Sequence, residues 1–149
     1  MQLKIINGEL VDQIKDLFES RLENPVELLY FVSPDDCDTC AEAEQLLDEI
    51  ASLSSKIHIT KYDIIQNLAV AQKFNVQLTP GLVIAGGGKK APVDYGIRFA
   101  GIPSGYEFGS LIQAIVLVSG RDSRLKPGTR RQIKELAKPV HLQVFVTPT

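Results

Sequence analysis

Cys37 and Cys40 are the only cysteines in a chain of 149 residues, and they stand three positions apart in Cys37-Asp38-Thr39-Cys40. Two thiols at that spacing where a helix begins can reach each other, so a small-ring disulfide can close and open without moving the fold. The unpaired N–H groups and positive dipole end of such a helix favour a thiolate, the species that attacks a disulfide. Cys37 is the candidate nucleophile. Cys40, one turn further in and expected to be less exposed, is the candidate resolving thiol. The chemistry is thiol–disulfide exchange, which calls for no cofactor.

Other chemistries fit less well. A zinc site built on Cys37 and Cys40 needs two further ligands, and the only histidines, His58 and His141, sit at no finger spacing. Gly86-Gly87-Gly88-Lys89-Lys90 lacks the spacing of a phosphate-binding loop and lies between predicted strands, so it reads as a hairpin. No metal site is expected.

The elements around the thiols follow from periodicity. Asn7 is a candidate N-cap for a helix over 8–22 with Leu10, Ile14, Leu17 and Phe18 on one face, and Asn24-Pro25 ends it. The apolar run 26–32 is a strand, the cysteine turn follows, and a helix to about residue 53 turns Ala43, Leu46, Leu47, Ile50 and Leu53 inward. Residues 56–63 alternate polar and apolar as a half-buried strand does, and a helix over 66–74 follows. This strand–helix–strand–helix order implies a crossover and parallel strands. Within 76–85 a third strand is expected to begin just after Pro80, a fourth, antiparallel to it, over 93–99, and a helix over 106–119 with Phe108, Leu111, Ile112 and Ile115 inward.

The composition is 44% hydrophobic and 23% charged, as in an ordinary globular chain. A net charge of −2 gives no reason to expect nucleic acid or an anionic membrane as partner. The late basic residues, Arg121 to Lys138, read as a solvated helix face. No signal-peptide pattern stands at the N-terminus and no apolar run is long enough to span a bilayer, so a cytoplasmic location is expected, where paired cysteines are more often catalytic or metal-binding than structural.

On these residues the chain resembles the thioredoxin and glutaredoxin families over 26–119. Cys37-Asp38-Thr39-Cys40 opens the first sheet-packed helix, Tyr62-Asp63 ends the next strand, and Thr79-Pro80 stands where the family carries its cis-proline. The resemblance implies an α/β thioredoxin fold, a central mixed sheet flanked by helices. It also implies that Thr79 and Pro80 form the substrate-side wall, where a client adds as an extended strand.

More narrowly, Tyr95-Gly96-Ile97-Arg98-Phe99-Ala100-Gly101-Ile102-Pro103-Ser104-Gly105-Tyr106-Glu107-Phe108 is similar to the tandem protein disulfide oxidoreductases of thermophilic archaea and bacteria. That implies protein thiols and disulfides as clients and a thioredoxin reductase as electron donor. One departure stands out: thioredoxins carry a buried Asp on the strand before the motif, and Leu28-Leu29-Tyr30-Phe31-Val32 carries no acid. Asp63 or Asp36, or solvent, is then expected to take the proton of the resolving thiol.

An internal repeat supports the tandem reading independently. Residues 25–34, PVELLYFVSP, recur 114 positions later as PVHLQVFVTP, with six identities in ten. The expected organisation is one complete unit over 1–120, then a linker helix over 127–138 and the orphan first strand of a second unit within 121–149. The chain then reads as a truncated piece of a longer protein. An unpaired apolar strand from Val140 to Val146 is an association hazard, so it is expected to pair with an edge of this chain or of a second copy, giving a homodimer. A unit of this kind also admits a non-catalytic reading as a client-docking module whose partner unit does the redox work.

Five carboxylates, Asp35, Asp36, Asp38, Glu42 and Glu44, crowd the thiols, with no Lys, Arg or His between 33 and 47. Like charge opposes a thiolate, so the dithiol is expected to be reducing or sluggish rather than strongly oxidising.

Overall fold

A computed structural model of the chain describes residues 4–88 and 90–146. Lys89 of the predicted hairpin, and Thr147 and Pro148 of the repeat, lie outside them. Nine elements follow in order: α1 (Gly8–Arg21), β1 (Val26–Val32), α2 (Cys40–Ala51), β2 (Ile57–Asp63), α3 (Leu68–Lys73), β3 (Gly81–Gly86), β4 (Val93–Ala100), α4 (Tyr106–Gly120) and α5 (Pro127–Lys134). The strands form one sheet in the order β2-β1-β3-β4, with β1 parallel to β2 and antiparallel to β3, and β3 antiparallel to β4.

The apolar run of β1 is buried because the sheet is covered on both faces. Leu28, Tyr30 and Val32 face one side, where Phe18 of α1, Leu46, Leu47 and Ile50 of α2, and Leu111 and Ile115 of α4 pack. Leu29 and Phe31 face the other, against Ala71 of α3 and Phe74. Phe31 stacks on Tyr62 at 5.2 Å between ring centroids.

The ends of the elements are set by side chains. Asn7 Oδ1 accepts the Leu10 N–H at 2.8 Å, which is the expected cap of α1. The only fully polar buried side chain among the described residues, Ser119, ties the α1–β1 junction to α4. Its Oγ accepts the N–H groups of Glu23 and Asn24 at 2.9 and 3.0 Å and donates to the Asn24 carbonyl at 2.6 Å. Beyond α4, Arg121 reaches back to donate to the carbonyls of Pro25 and Gly87, both at 2.9 Å, and lies over the Tyr95 ring.

Several elements depart from the sequence pattern. α3 begins at Leu68 rather than 66, because Asp63 Oδ1 accepts the N–H groups of Ile65 and Gln66 and holds a turn there. β3, by contrast, begins at Gly81, just after Pro80 as the sequence suggests, because Pro80 has no N–H to give to a ladder. α5 is shorter than 127–138, and none of its residues is buried.

The largest departure is at residues 140–146. They form no strand, and Leu142, Val144, Phe145 and Val146 are each more than 80% exposed. A strand needs a partner to satisfy its backbone, and among the described residues no edge of the sheet is paired with the segment. The pairing expected within the chain is therefore absent.

Candidate functional site

β1 ends at Val32, and the loop that follows carries Cys37 to the head of α2, whose first residue is Cys40. Cys37 stands ahead of the helix rather than within its first turn, with the Cys40 N–H donating to the Cys37 carbonyl at 3.3 Å. The two are joined as a disulfide, with Cα atoms 5.4 Å apart. Cys37 is half-buried and Cys40 is 9% exposed, so Cys37 is the more accessible residue of the pair.

Thr79 and Pro80 come to the same end of the sheet by strand pairing. Phe31 is opposite Gly81 and Gly81 opposite Ala100, so the ends of β1 and β4 and the start of β3 lie together. The Thr79–Pro80 bond is cis, and the Pro80 carbonyl accepts the Gly101 N–H at 2.9 Å. Thr79 is half-buried and Pro80 buried, while Leu78 beside them is 66% exposed.

Two further residues at this end carry no signal in the sequence. Tyr30, 1% exposed, donates its hydroxyl to the Cys40 carbonyl at 2.7 Å. Burial, with a further contribution from the Glu44 carboxylate, pushes this phenol well above the ordinary tyrosine range, so it stays protonated and remains a donor. Lys61 of β2 sits beside Glu44 with its ammonium 2.6 Å from the carboxylate. The acids around the thiols are thus less uniform than their spacing suggests: Asp35, Asp36, Asp38 and Glu42 are exposed to water, which screens them, and Glu44 has a cation.

Asp63, one of the expected proton acceptors, instead directs Oδ1 to the turn before α3. Among the described residues no group of three or more His, Cys, Asp or Glu side chains converges as a metal site. None of the described helices is long and apolar enough to cross a membrane.

Residues 9–99, which carry the Cys-X-X-Cys after the central strand and the cis-proline at the same end of the sheet, match the family model described as "Thioredoxin". The chain belongs to the thioredoxin family. Among relatives of this thioredoxin-family chain, the F component of alkyl hydroperoxide reductase from Staphylococcus epidermidis is 35% identical over 97% of the chain, and that from Staphylococcus aureus 32% identical over the same share. The chain spans about a quarter of the length of these relatives, 25% in each case.

Solved structures agree. The NTD_N/C domain of alkyl hydroperoxide reductase AhpF from Enterococcus faecalis superposes with a TM-score of 0.77 at 27% identity, covering 89% of this chain and 62% of that one. A protein disulfide oxidoreductase from Aeropyrum pernix shares the fold with a TM-score of 0.73 at 22% identity, covering 87% of this chain and 55% of that one. With its Cys37–Cys40 pair, this thioredoxin-family chain is a thiol–disulfide oxidoreductase.

Proposed function

We propose that Cys37 is the attacking thiol and Cys40 the resolving thiol in exchange with protein disulfides. The observation that carries this is the asymmetry of the pair: within one disulfide, Cys37 is half-buried while Cys40 is 9% exposed. The more accessible cysteine is the one a client meets first. The Cys37 thiolate attacks one client sulfur, a Cys37–client disulfide forms, and the other client sulfur leaves as a thiolate that takes a proton from water. Cys40 then attacks Cys37 Sγ, the second client sulfur leaves, and the pair ends oxidised while the client is reduced.

Thr79 and Pro80 form the wall against which the client strand lies. Their support is the strand register that carries them to the cysteine end of the sheet. The favoured direction is reduction of clients. The Staphylococcus relatives are named as parts of a reductase, which supports this direction, as does the run of acids around Cys37. A thioredoxin reductase or a domain of that kind restores the dithiol, and the cytoplasm is the compartment in which such a donor works. Residues 121–149 lead into a second unit of the same kind, a reading supported by the repeat of 25–34 at 139–148.

The deciding experiment is a titration of the pair against glutathione and dithiothreitol buffers. A single two-electron transition between roughly −120 and −300 mV is expected, towards the negative end. Cys37→Ser should abolish exchange and Cys40→Ser should accumulate a mixed disulfide on Cys37. A pair that stays reduced in oxidised glutathione would leave a client-docking role instead.

A further inference from the structure

We propose that Tyr30 is a positioning residue for the resolving step, its buried hydroxyl holding the first turn of α2 so that Cys40 stays within reach of Cys37. This rests on the assignment of Cys37 as attacking and Cys40 as resolving thiol.

The head of α2 is weakly anchored by its own sequence. Thr39 occupies the N-cap position and makes no side-chain hydrogen bond to the helix, and its backbone (φ −107°, ψ 1°) is not that of a regular cap. The tie between the first helical residue and the sheet is the 2.7 Å bond from the Tyr30 hydroxyl to the Cys40 carbonyl. The ring of Tyr30 lies in the core with Leu28, Val32, Leu82 and Ala43, where a phenylalanine would pack as well. A hydroxyl in such surroundings is unfavourable unless bonded, so the bond to Cys40 is what the oxygen is there to make.

The consequence depends on the stage of the reaction. While Cys37 and Cys40 are joined, the disulfide itself holds Cys40 in place. Once Cys37 is bonded to a client, no covalent link restrains Cys40. Its effective concentration at Cys37 Sγ then depends on how firmly the first turn of α2 is held. In that step the Cys40 proton passes to water, the Cys40 thiolate attacks Cys37 Sγ, the Cys37–Cys40 bond forms, the Cys37–client bond breaks, and the client sulfur leaves as a thiolate. Attack by Cys37 on the client precedes any need for Cys40. Loss of the Tyr30 hydroxyl should therefore slow resolution and spare attack.

The test uses Tyr30→Phe, with Tyr62→Phe as a control that loses a hydroxyl from the opposite face of the sheet. The reduced proteins are mixed with oxidised glutathione, quenched with acid at intervals, and the Cys37–glutathione adduct is followed by mass. In Tyr30→Phe the second-order formation of the adduct should stay within about two-fold of wild type, while its unimolecular decay falls roughly five-fold, the worth of one net hydrogen bond. Tyr62→Phe should change neither. Equal decay rates in Tyr30→Phe and wild type overturn the inference, as does a parallel loss in both steps, which would mark general loosening. A wild type that never forms the adduct fails earlier: it overturns the exchange reading itself and the inference with it.

One measurement is independent of how the variant folds. In the reduced wild type, the Tyr30 hydroxyl proton should exchange slowly with water. Rapid exchange would mean that the bond opens once the pair is reduced, and would also overturn the inference.

Discussion

A Cβ on Gly81 would stand 2.6 Å from the carbonyl oxygen of Leu78 and 2.7 Å from Cγ1 of Val76. Real Cβ atoms do not approach backbone oxygen so closely, so the loop that carries Thr79 and Pro80 folds back over a position that only glycine can occupy. Gly81→Ala has to push this loop outward. We expect a loss of about 1–3 kcal/mol in unfolding free energy, the ordinary cost of overpacking, together with weaker binding of disulfide clients and an unchanged potential of the Cys37–Cys40 pair. Denaturant melts and client KM values check this; an alanine variant with wild-type stability would show that the loop is not held by this contact.

Lys61 brings a cation to a cysteine neighbourhood that is acidic in sequence. Its pair with Glu44 is partly exposed, with side chains 49% and 36% accessible, so its worth is small and sensitive to salt. Glu44 is nonetheless close enough to act on the Tyr30 hydroxyl. Lys61→Met leaves that carboxylate uncompensated beside the head of α2. Reduced Cys37 in the variant should react with iodoacetamide at pH 7 about two-fold more slowly than wild type at low ionic strength, and equally fast at roughly 1 M salt, where the Debye length is near 3 Å. A difference that persists in high salt would point to a structural change instead.

Glu49 fastens the N-terminal segment to α2. Its carboxylate accepts the N–H groups of Ile5 at 2.9 Å and Ile6 at 2.9 Å, and Ile6 is buried. Burial works against the charged form, but the backbone bonds from Ile6 and Ile5, with lesser help from Gln45 and Lys4, hold this carboxyl below the usual glutamate range. A carboxylate depressed on folding contributes stability above its unfolded pKa, about 4.3, and loses it as pH falls through the lower folded value. Wild type should therefore lose stability on acidification below about pH 4, and Glu49→Gln should start lower and show less of that slope. Melting temperatures between about pH 7 and pH 3, a range that spans the carboxylate titration, check it; parallel curves would sink the assignment.

The legible part of this protein is what depends on local pattern. The buried run 26–32, the inward face of α2 from Ala43 to Ile50, and the Asn7 cap announce themselves through spacing and residue type, and the structure bears them out. The two sulfurs are legible because no other cysteine competes with them. What stays hidden is set by pairing across the sheet. Lys61 is 17 residues from Glu44 in sequence and meets it because β2 lies next to β1. Tyr30 reads as one more apolar strand residue until α2 folds over it, and Ser119 reads as a helix end until the α1–β1 junction lies against it.

Residues 140–146 repeat the pattern of a central strand and remain outside any sheet. Val140, Leu142, Val144, Phe145 and Val146 are between 62% and 88% exposed, an apolar stretch interrupted only by His141 and Gln143. β2 and β4 are edges of this sheet, and an exposed edge and an unpaired apolar segment are complementary in backbone bonding. Pairing between two copies would bury the segment and satisfy its N–H and C=O groups at once. The 149-residue chain should therefore sediment as a dimer at micromolar concentration, whereas a chain ending at Lys138 should be monomeric and keep the thiol–disulfide activity, because no residue of the site lies beyond Ala100. Sedimentation velocity on the two chains decides the matter, and identical mass distributions would mean that the segment associates with nothing of its own kind.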